Sequence, residues 1–181
     1  DLSEVARPVM ERLSTATGRY SHLVVRDGND VVVLLRESGA SAFESSLHVG
    51  ARLPAHGTVL GRMVLAYLDA DELDAIYPDG VLPAFSEQTP GRLSDLKILL
   101  EEDRQRGYAI SNGFFERGIS AVAAPVLDSS DQVIAAINVT VPGALPEGDL
   151  LEAIVSAVVH AATELSGLLD HHVAAPSVAS A

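Results

Sequence analysis

The side chains best placed for chemistry lie in residues 118–142, GISAVAAPVLDSSDQVIAAINVTVP. Two apolar runs, Ile119 to Leu127 and Gln132 to Val141, flank Asp128-Ser129-Ser130-Asp131, which predicts a β-hairpin with a four-residue loop. Pairing Leu127 with Gln132 sets Ala121 opposite Asn138 and Ile119 opposite Thr140. Strand side chains alternate between faces, so Ala121, Ala123, Asn138 and Thr140 share one. Small side chains on one strand and two neutral hydrogen-bonding groups on the other form a wall that leaves space and offers polar handles, as a small-ligand pocket requires. Pro125 cannot donate to a ladder, and a slip there would shift the pairing.

Other reactive types are scattered. His160, His171 and His172 share part of a helical segment, but no cysteine or carboxylate stands at ligand spacing, so no metal site is expected. Ser120 and His56 fall in separate blocks and no Gly-x-Ser-x-Gly elbow is present, although a Ser/His/Asp triad draws on distant positions and stays open. The chain has no cysteine, which excludes disulfides and thiol nucleophiles. Glu101-Glu102-Asp103 reads as a solvated helix face.

The elements that must position these residues follow from the rest of the chain. At 181 residues it has room for one domain with a sizeable core, aliphatic and alanine-rich because only 4% is aromatic. Twenty-five Asp plus Glu against 12 Lys plus Arg give a net charge of −13, and the one lysine is Lys97. Such a surface repels phosphate backbones, so these residues are not expected to bind nucleic acid. No uninterrupted apolar stretch suggests a membrane span, and no signal-peptide pattern opens the chain. It begins Asp-Leu-Ser without a methionine, as a piece cut from a longer protein would.

Leu2, Ala6, Val9, Leu13 and Ala16 make a helical stripe that Gly18 closes. Tyr20 to Arg26 and Val31 to Glu37 are strands around an Asp-Gly turn, the second covered on both faces, with a weaker third strand at Glu44 to Val49. Thr58 or Gly57 caps a helix carrying Val59, Leu60, Met63, Val64 and Tyr67, in which Gly61 permits a close approach. Asp69 and Glu72 fit a capping box for a short helix ended by Pro78. Residues 78–91, with three prolines and two glycines, are a loop that is either a lid or a connector. Arg92 to Arg106 is a helix with Leu93, Leu96 and Leu100 inward, and Tyr108 to Ser111 starts a strand. From Pro146 to about Leu169 a long helix carries the seam Leu151, Val155, Val158, Ala162, Leu165 and Leu169, which matches the first helix. Residues 173–181 read as a disordered tail after a domain at 1–172.

Three blocks in order, Leu53-Pro54-Ala55-His56-Gly57-Thr58-Val59-Leu60-Gly61-Arg62, Arg106-Gly107-Tyr108-Ala109, and Gly118 to Val126 followed by Ala135-Ala136-Ile137-Asn138-Val139, resemble the effector-binding domain of IclR-family bacterial transcription regulators over nearly all of residues 1–170. The resemblance implies an α+β, GAF-like fold: a central antiparallel sheet flanked by helices, with the N- and C-terminal helices packed together on one face. It implies a cytoplasmic homodimer or tetramer that senses a small molecule, without cofactor, metal or membrane. DNA would be bound only through a separate N-terminal winged helix-turn-helix. The effector would lie between the helix after the L-P-x-H block and the sheet, touching the Val59 and Leu60 amides and the side chains of Ser111, Ala121, Asn138 and Thr140, with His56 and Met63 as further contacts. The chain departs from the pattern where Gly113 and Phe114 replace acidic residues, and where Ala121 and Asn138 stand at positions often Ser or Cys.

Free amides and the dipole at a helix start favour an anion. That contribution is about 0.3–2 kcal/mol, whereas micromolar affinity needs about 8 kcal/mol, so apolar walls and the Asn138 and Thr140 hydrogen bonds must supply the rest. The expected effector is a small organic acid, aromatic as one option. An oligomerisation module without ligand ranks second, and a small hydrolase-like enzyme last.

Overall fold

The computed structural model describes residues 1–39 and 45–174, with side chains up to Asp170. Strands β1 (Ser21–Asp27), β2 (Asp30–Glu37), β3 (Arg52–Pro54), β4 (Ala109–Asn112), β5 (Ile119–Leu127) and β6 (Val133–Pro142) form one antiparallel sheet in the order β3-β2-β1-β6-β5-β4. Helices α1 (Leu2–Thr17) and α5 (Gly148–Ala174) cover one face; α2 (Val59–Leu65), α3 (Ala70–Ile76) and α4 (Leu93–Arg106) cover the other. The fold is thus α+β with the terminal helices packed on each other, as expected.

Each face has its own core. Leu23, Leu35, Val122, Ile137 and Val139 point toward α1 and α5, meeting Val9, Met10, Leu13, Val158 and Leu165. Val24, Val31, Val33, Ala123 and Ala136 point the other way, against Leu60, Met63, Val64, Leu96 and Leu100. The alternation is interrupted once in β1–β2: Leu23 pairs with Leu35 but Val24 with Val33, so Leu34 is an extra residue, a β-bulge that swaps the faces of β2 along its length. This is how the unbroken run Val31 to Leu35 serves both cores.

Local signals hold at most element ends. Gly18 caps α1 at φ 65, a left-handed conformation that glycine adopts without a Cβ penalty. Asp69 and Glu72 form the capping box of α3, and Thr58 caps α2 by accepting from the Gly61 N–H at 3.1 Å. Three expectations are corrected. The third strand is Arg52–Pro54, not the stretch ending at Val49, whose described part from Ser45 is irregular; Glu44 lies outside the described residues. Asp103 continues the inward stripe of α4 by the 3-4-3 spacing 93, 96, 100, 103 and is fully buried, so only Glu101 and Glu102 of that run are solvated. Helix α5 reaches Ala174, past Leu169 and into the expected tail; residues 175–181 lie outside the described residues. By length and composition its Gly148–Asp170 stretch, of mean hydropathy 1.3, suffices to cross a membrane. Here Ile154, Val158, Ala161, Ala162, Leu165 and Leu169 bury one side of it against the sheet and α1.

Candidate functional site

The hairpin register differs from the expected one by two residues. Five residues, 128–132, separate β5 from β6, with Asp131 at φ 57 and the Asp128 carboxylate accepting from the Ser130 and Gln132 amides. Leu127 pairs with Val133, and a bulge follows at once, so that Val126 pairs with Ala135. Ala121 therefore faces Thr140, and Ala123 faces Asn138. An even shift leaves every side chain on its own face, so the shared wall of Ala121, Ala123, Asn138 and Thr140 is retained. Pro125 sits within the ladder opposite Ala136 and causes no slip.

Across three strands this register aligns Ser111, Ala121 and Thr140 in one row, with the small alanine between two hydroxyls. The adjacent row places Asn138 between Ala123 and His22. Above these rows lies a cavity of about 60 Å³, with Val59 and Leu60 of α2 on one side. Leu47, Leu53, Phe114, Phe115 and Ile119 supply apolar wall; Ser45, Ser46 and Glu116 supply polar atoms, and among the described residues no lysine or arginine lines it. Six expected contacts, Val59, Leu60, Ser111, Ala121, Asn138 and Thr140, thus come together.

Two do not. Met63 is fully buried in the core between α2 and the sheet. It stands one turn beyond Val59 and Leu60 on the same side of α2, where it packs into the core and does not line the cavity. His56 lies in the short 3₁₀ turn Ala55–Gly57. Its Nε2–H donates to the Pro83 carbonyl at 2.7 Å, and its ring packs on Tyr77 and Phe85 at centroid distances of 5.8 and 5.4 Å. It fastens the turn to the 78–91 loop. That loop does not line the cavity and is a brace rather than a lid: Ser86 Oγ donates to the Phe114 carbonyl at 2.6 Å and Gln88 Nε2 to the Asn112 carbonyl at 2.6 Å.

The roof is held close by Gly61. A Cβ there would stand 2.0 Å from the Ala55 carbonyl oxygen, so only glycine lets the turn lie against α2. One residue on, Arg62 is clamped by the buried Asp103 carboxylate, Nε and Nη2 donating at 2.8 and 2.7 Å, and its guanidinium stacks 4.8 Å from the Phe114 ring. One buried ion pair therefore joins α2, α4 and a wall of the cavity.

His22 is the residue that sequence reasoning missed. It is fully buried, with Nδ1 2.9 Å from Asn138 Oδ1 and Nε2 2.8 Å from Ser45 Oγ. Burial, with a smaller push from Arg36, outweighs the Asn138 bond and lowers its pKa to about 4, so the ring is neutral near pH 7. The available signal was its place in the strand: with Leu23 and Val25 toward α1 and α5, the period of two puts His22 and Val24 on the cavity face. Ser111 Oγ and Thr140 Oγ1 have the opposite character. Both are buried, both line the cavity, and neither has a hydrogen-bond partner among the described residues. Buried hydroxyls without partners are rare and costly, and these two sit where a ligand would satisfy them.

A six-stranded antiparallel sheet with a small, mostly apolar cavity under a short helix defines a ligand-sensing domain of the effector-binding class. Residues 1–167 match the family model "Bacterial transcriptional regulator IclR C-terminal", and the chain belongs to the IclR family. It is 31% identical over 140 residues to the HTH-type transcriptional regulator XynR of Escherichia coli, a match spanning 77% of this chain and 56% of that protein. The chain thus spans about half the length of the curated relatives it matches. A transcriptional regulator from Rhodococcus sp. RHA1 superimposes with a TM-score of 0.87 at 30% identity, over 94% of this chain and 69% of that one. An IclR homolog from Microbacterium hydrocarbonoxydans, solved with 4-hydroxybenzoate, gives 0.82 at 28% identity, over 94% and 68%. These relatives are regulators, not enzymes.

Proposed function

We propose that the domain senses a small organic acid, and that binding changes the DNA affinity of a helix-turn-helix module in the same regulator. The observation that carries this reading is the pair of unpartnered hydroxyls, Ser111 Oγ and Thr140 Oγ1, on either side of Ala121 in an otherwise apolar cavity. Without a lysine or arginine, a carboxylate here must be held by neutral donors. Two hydroxyls, the Asn138 amide and the first amides of α2 are the candidates, since the first turn of a helix leaves its N–H groups without intrahelical partners. The 4-hydroxybenzoate bound by the Microbacterium protein supports an acid.

Size sharpens the reading. At about 60 Å³ the cavity is far below the 300–1,000 Å³ of drug-sized sites. A compact acid of a few heavy atoms matches that volume better than a benzoate does. Sensing then works by linkage: the effector stabilises one arrangement of a homodimer or tetramer that the DNA module reads. The regulator acts in the cytoplasm, where its DNA lies.

Thermal-shift titration with aliphatic and aromatic acids tests this. Stabilisation by at least one acid, lost in the Ser111→Ala, Thr140→Val double variant, is expected. Stabilisation by cations or sugars alone would sink the reading.

A further inference from the structure

The hydrogen bonds behind the cavity run in one direction. The Leu47 amide donates to Ser45 Oγ at 3.2 Å, so the Ser45 hydroxyl is free to donate onward to His22 Nε2 at 2.8 Å. A neutral imidazole whose Nε2 accepts carries its proton on Nδ1, and that N–H donates to Asn138 Oδ1 at 2.9 Å. In the reverse direction Ser45 would accept twice and its own hydrogen would have no acceptor in this chain of groups. Asn138 Oδ1 is therefore turned to His22, and its Nδ2 makes no hydrogen bond among the described residues.

We infer that His22 is a positioning residue of this cavity: by holding Oδ1 of Asn138 it makes residue 138 present only amide donors, so that the back wall selects ligand groups that accept, carboxylates above all. An asparagine alone is indifferent, since a flip of its amide exchanges donor for acceptor. Fixed by His22 it discriminates. A ligand amidine or ammonium would face N–H against N–H, whereas a carboxylate oxygen completes the row begun at the Leu47 amide. Discrimination of this kind is a difference of affinities that rests on an unpaired group in the wrong complex.

The inference rests on the acid-sensing reading of the same cavity, and the experiment separates the two. Nitrogen-15 imidazole spectra of the 181-residue chain report which ring nitrogen of His22 is protonated. Nδ1–H, the less common neutral form, is expected, and an Nε2–H tautomer overturns the proposal. Calorimetry with two isosteric pairs, benzoate against benzamidine and propionate against propionamidine, then gives the acid preference. His22→Asn, whose Nδ2 can take the place of Nδ1, should keep that preference to within about threefold. His22→Leu, which frees the Asn138 amide to turn, should reduce it by about tenfold or more. An unchanged preference in His22→Leu overturns the proposal even if acids bind. If no acid binds the wild type, the acid-sensing reading fails and the positioning role is judged on the tautomer.

Discussion

The two faces of the sheet bury polar groups in opposite ways. Under α1 and α5, Ser14 and Ser21 are fully buried, yet their two hydroxyl hydrogens have three acceptors in reach: the other serine's oxygen at 2.7 Å and the Glu37 and Met10 carbonyls. Under α2, His22 and Asn138 bond each other, but the Ser111 and Thr140 hydroxyls have no partner among the described residues. The first face is complete in itself. The second keeps two hydroxyls open, and under the proposed function the difference marks which half of the molecule is structural and which receptive.

The strongest way to break this division is at the buried pair beneath the receptive face. Asp103→Ala leaves Arg62 buried without its carboxylate and should lower unfolding free energy by about 3–5 kcal/mol in urea titration. The Arg62→Met, Asp103→Leu double variant should regain most of that. A loss below about 1 kcal/mol for Asp103→Ala would show that the clamp is not what holds the roof.

On the other face, Leu165→Ala opens a cavity at a fully buried position of α5 and should cost about 2–5 kcal/mol. Acid affinity measured well below the melting temperature should stay unchanged. A parallel loss of affinity would mean that the two cores are coupled through the sheet.

Acid should act on the receptive face. His22 is held near pKa 4 when folded, against about 6.5 unfolded, so between those values the unfolded chain binds the extra proton. Stability is therefore full above about pH 6.5 and falls as pH drops toward 4, by about 3 kcal/mol in all. The His22→Asn variant should lack this part of the pH dependence in denaturant midpoints taken across the window. Identical slopes for both proteins would place the titration elsewhere.

The smallest effect carries the sharpest contrast. Ser111→Ala and Thr140→Val remove unpartnered hydroxyls and should leave stability unchanged or raise it by up to about 1 kcal/mol each. Ser14→Ala and Ser21→Ala break satisfied bonds and should cost about 1 kcal/mol each. If all four behave alike by thermal denaturation, the division between the faces is not real.

How much of this was legible in the sequence depends on how local the cause is. Caps at Gly18, Thr58 and Asp69, and the helical seams, are set by near neighbours and read directly. The face shared by Asn138 and Thr140 was also legible, because a period of two survives any even error of register. The register itself was not: Gln132 was spent in the turn, and the bulge beside Leu127 moved the pairing by a further step. His56 and Met63, expected as contacts, do not line the cavity: His56 turns to the Pro83 carbonyl and Met63 packs into the core, placements that depend on elements distant in the chain. Asp103 was misread because its partner, Arg62, lies 41 residues away in the chain. His22 stayed hidden for the same reason: Asn138, 116 residues distant, meets it only once β1 lies beside β6.

The bulge at Leu34 has a consequence for how such a domain can vary. Since it alone reverses which side of β2 faces which helices, β2 has a hinge of identity rather than of motion. Deleting Leu34 would leave strand pairing intact on paper while sending the residues on one side of it to the opposite core. Length changes in the 128–132 turn, by contrast, are absorbed in solvent. A residue gained or lost at the hairpin tip therefore moves no core side chain, whereas one lost at Leu34 exchanges the two cores along part of β2.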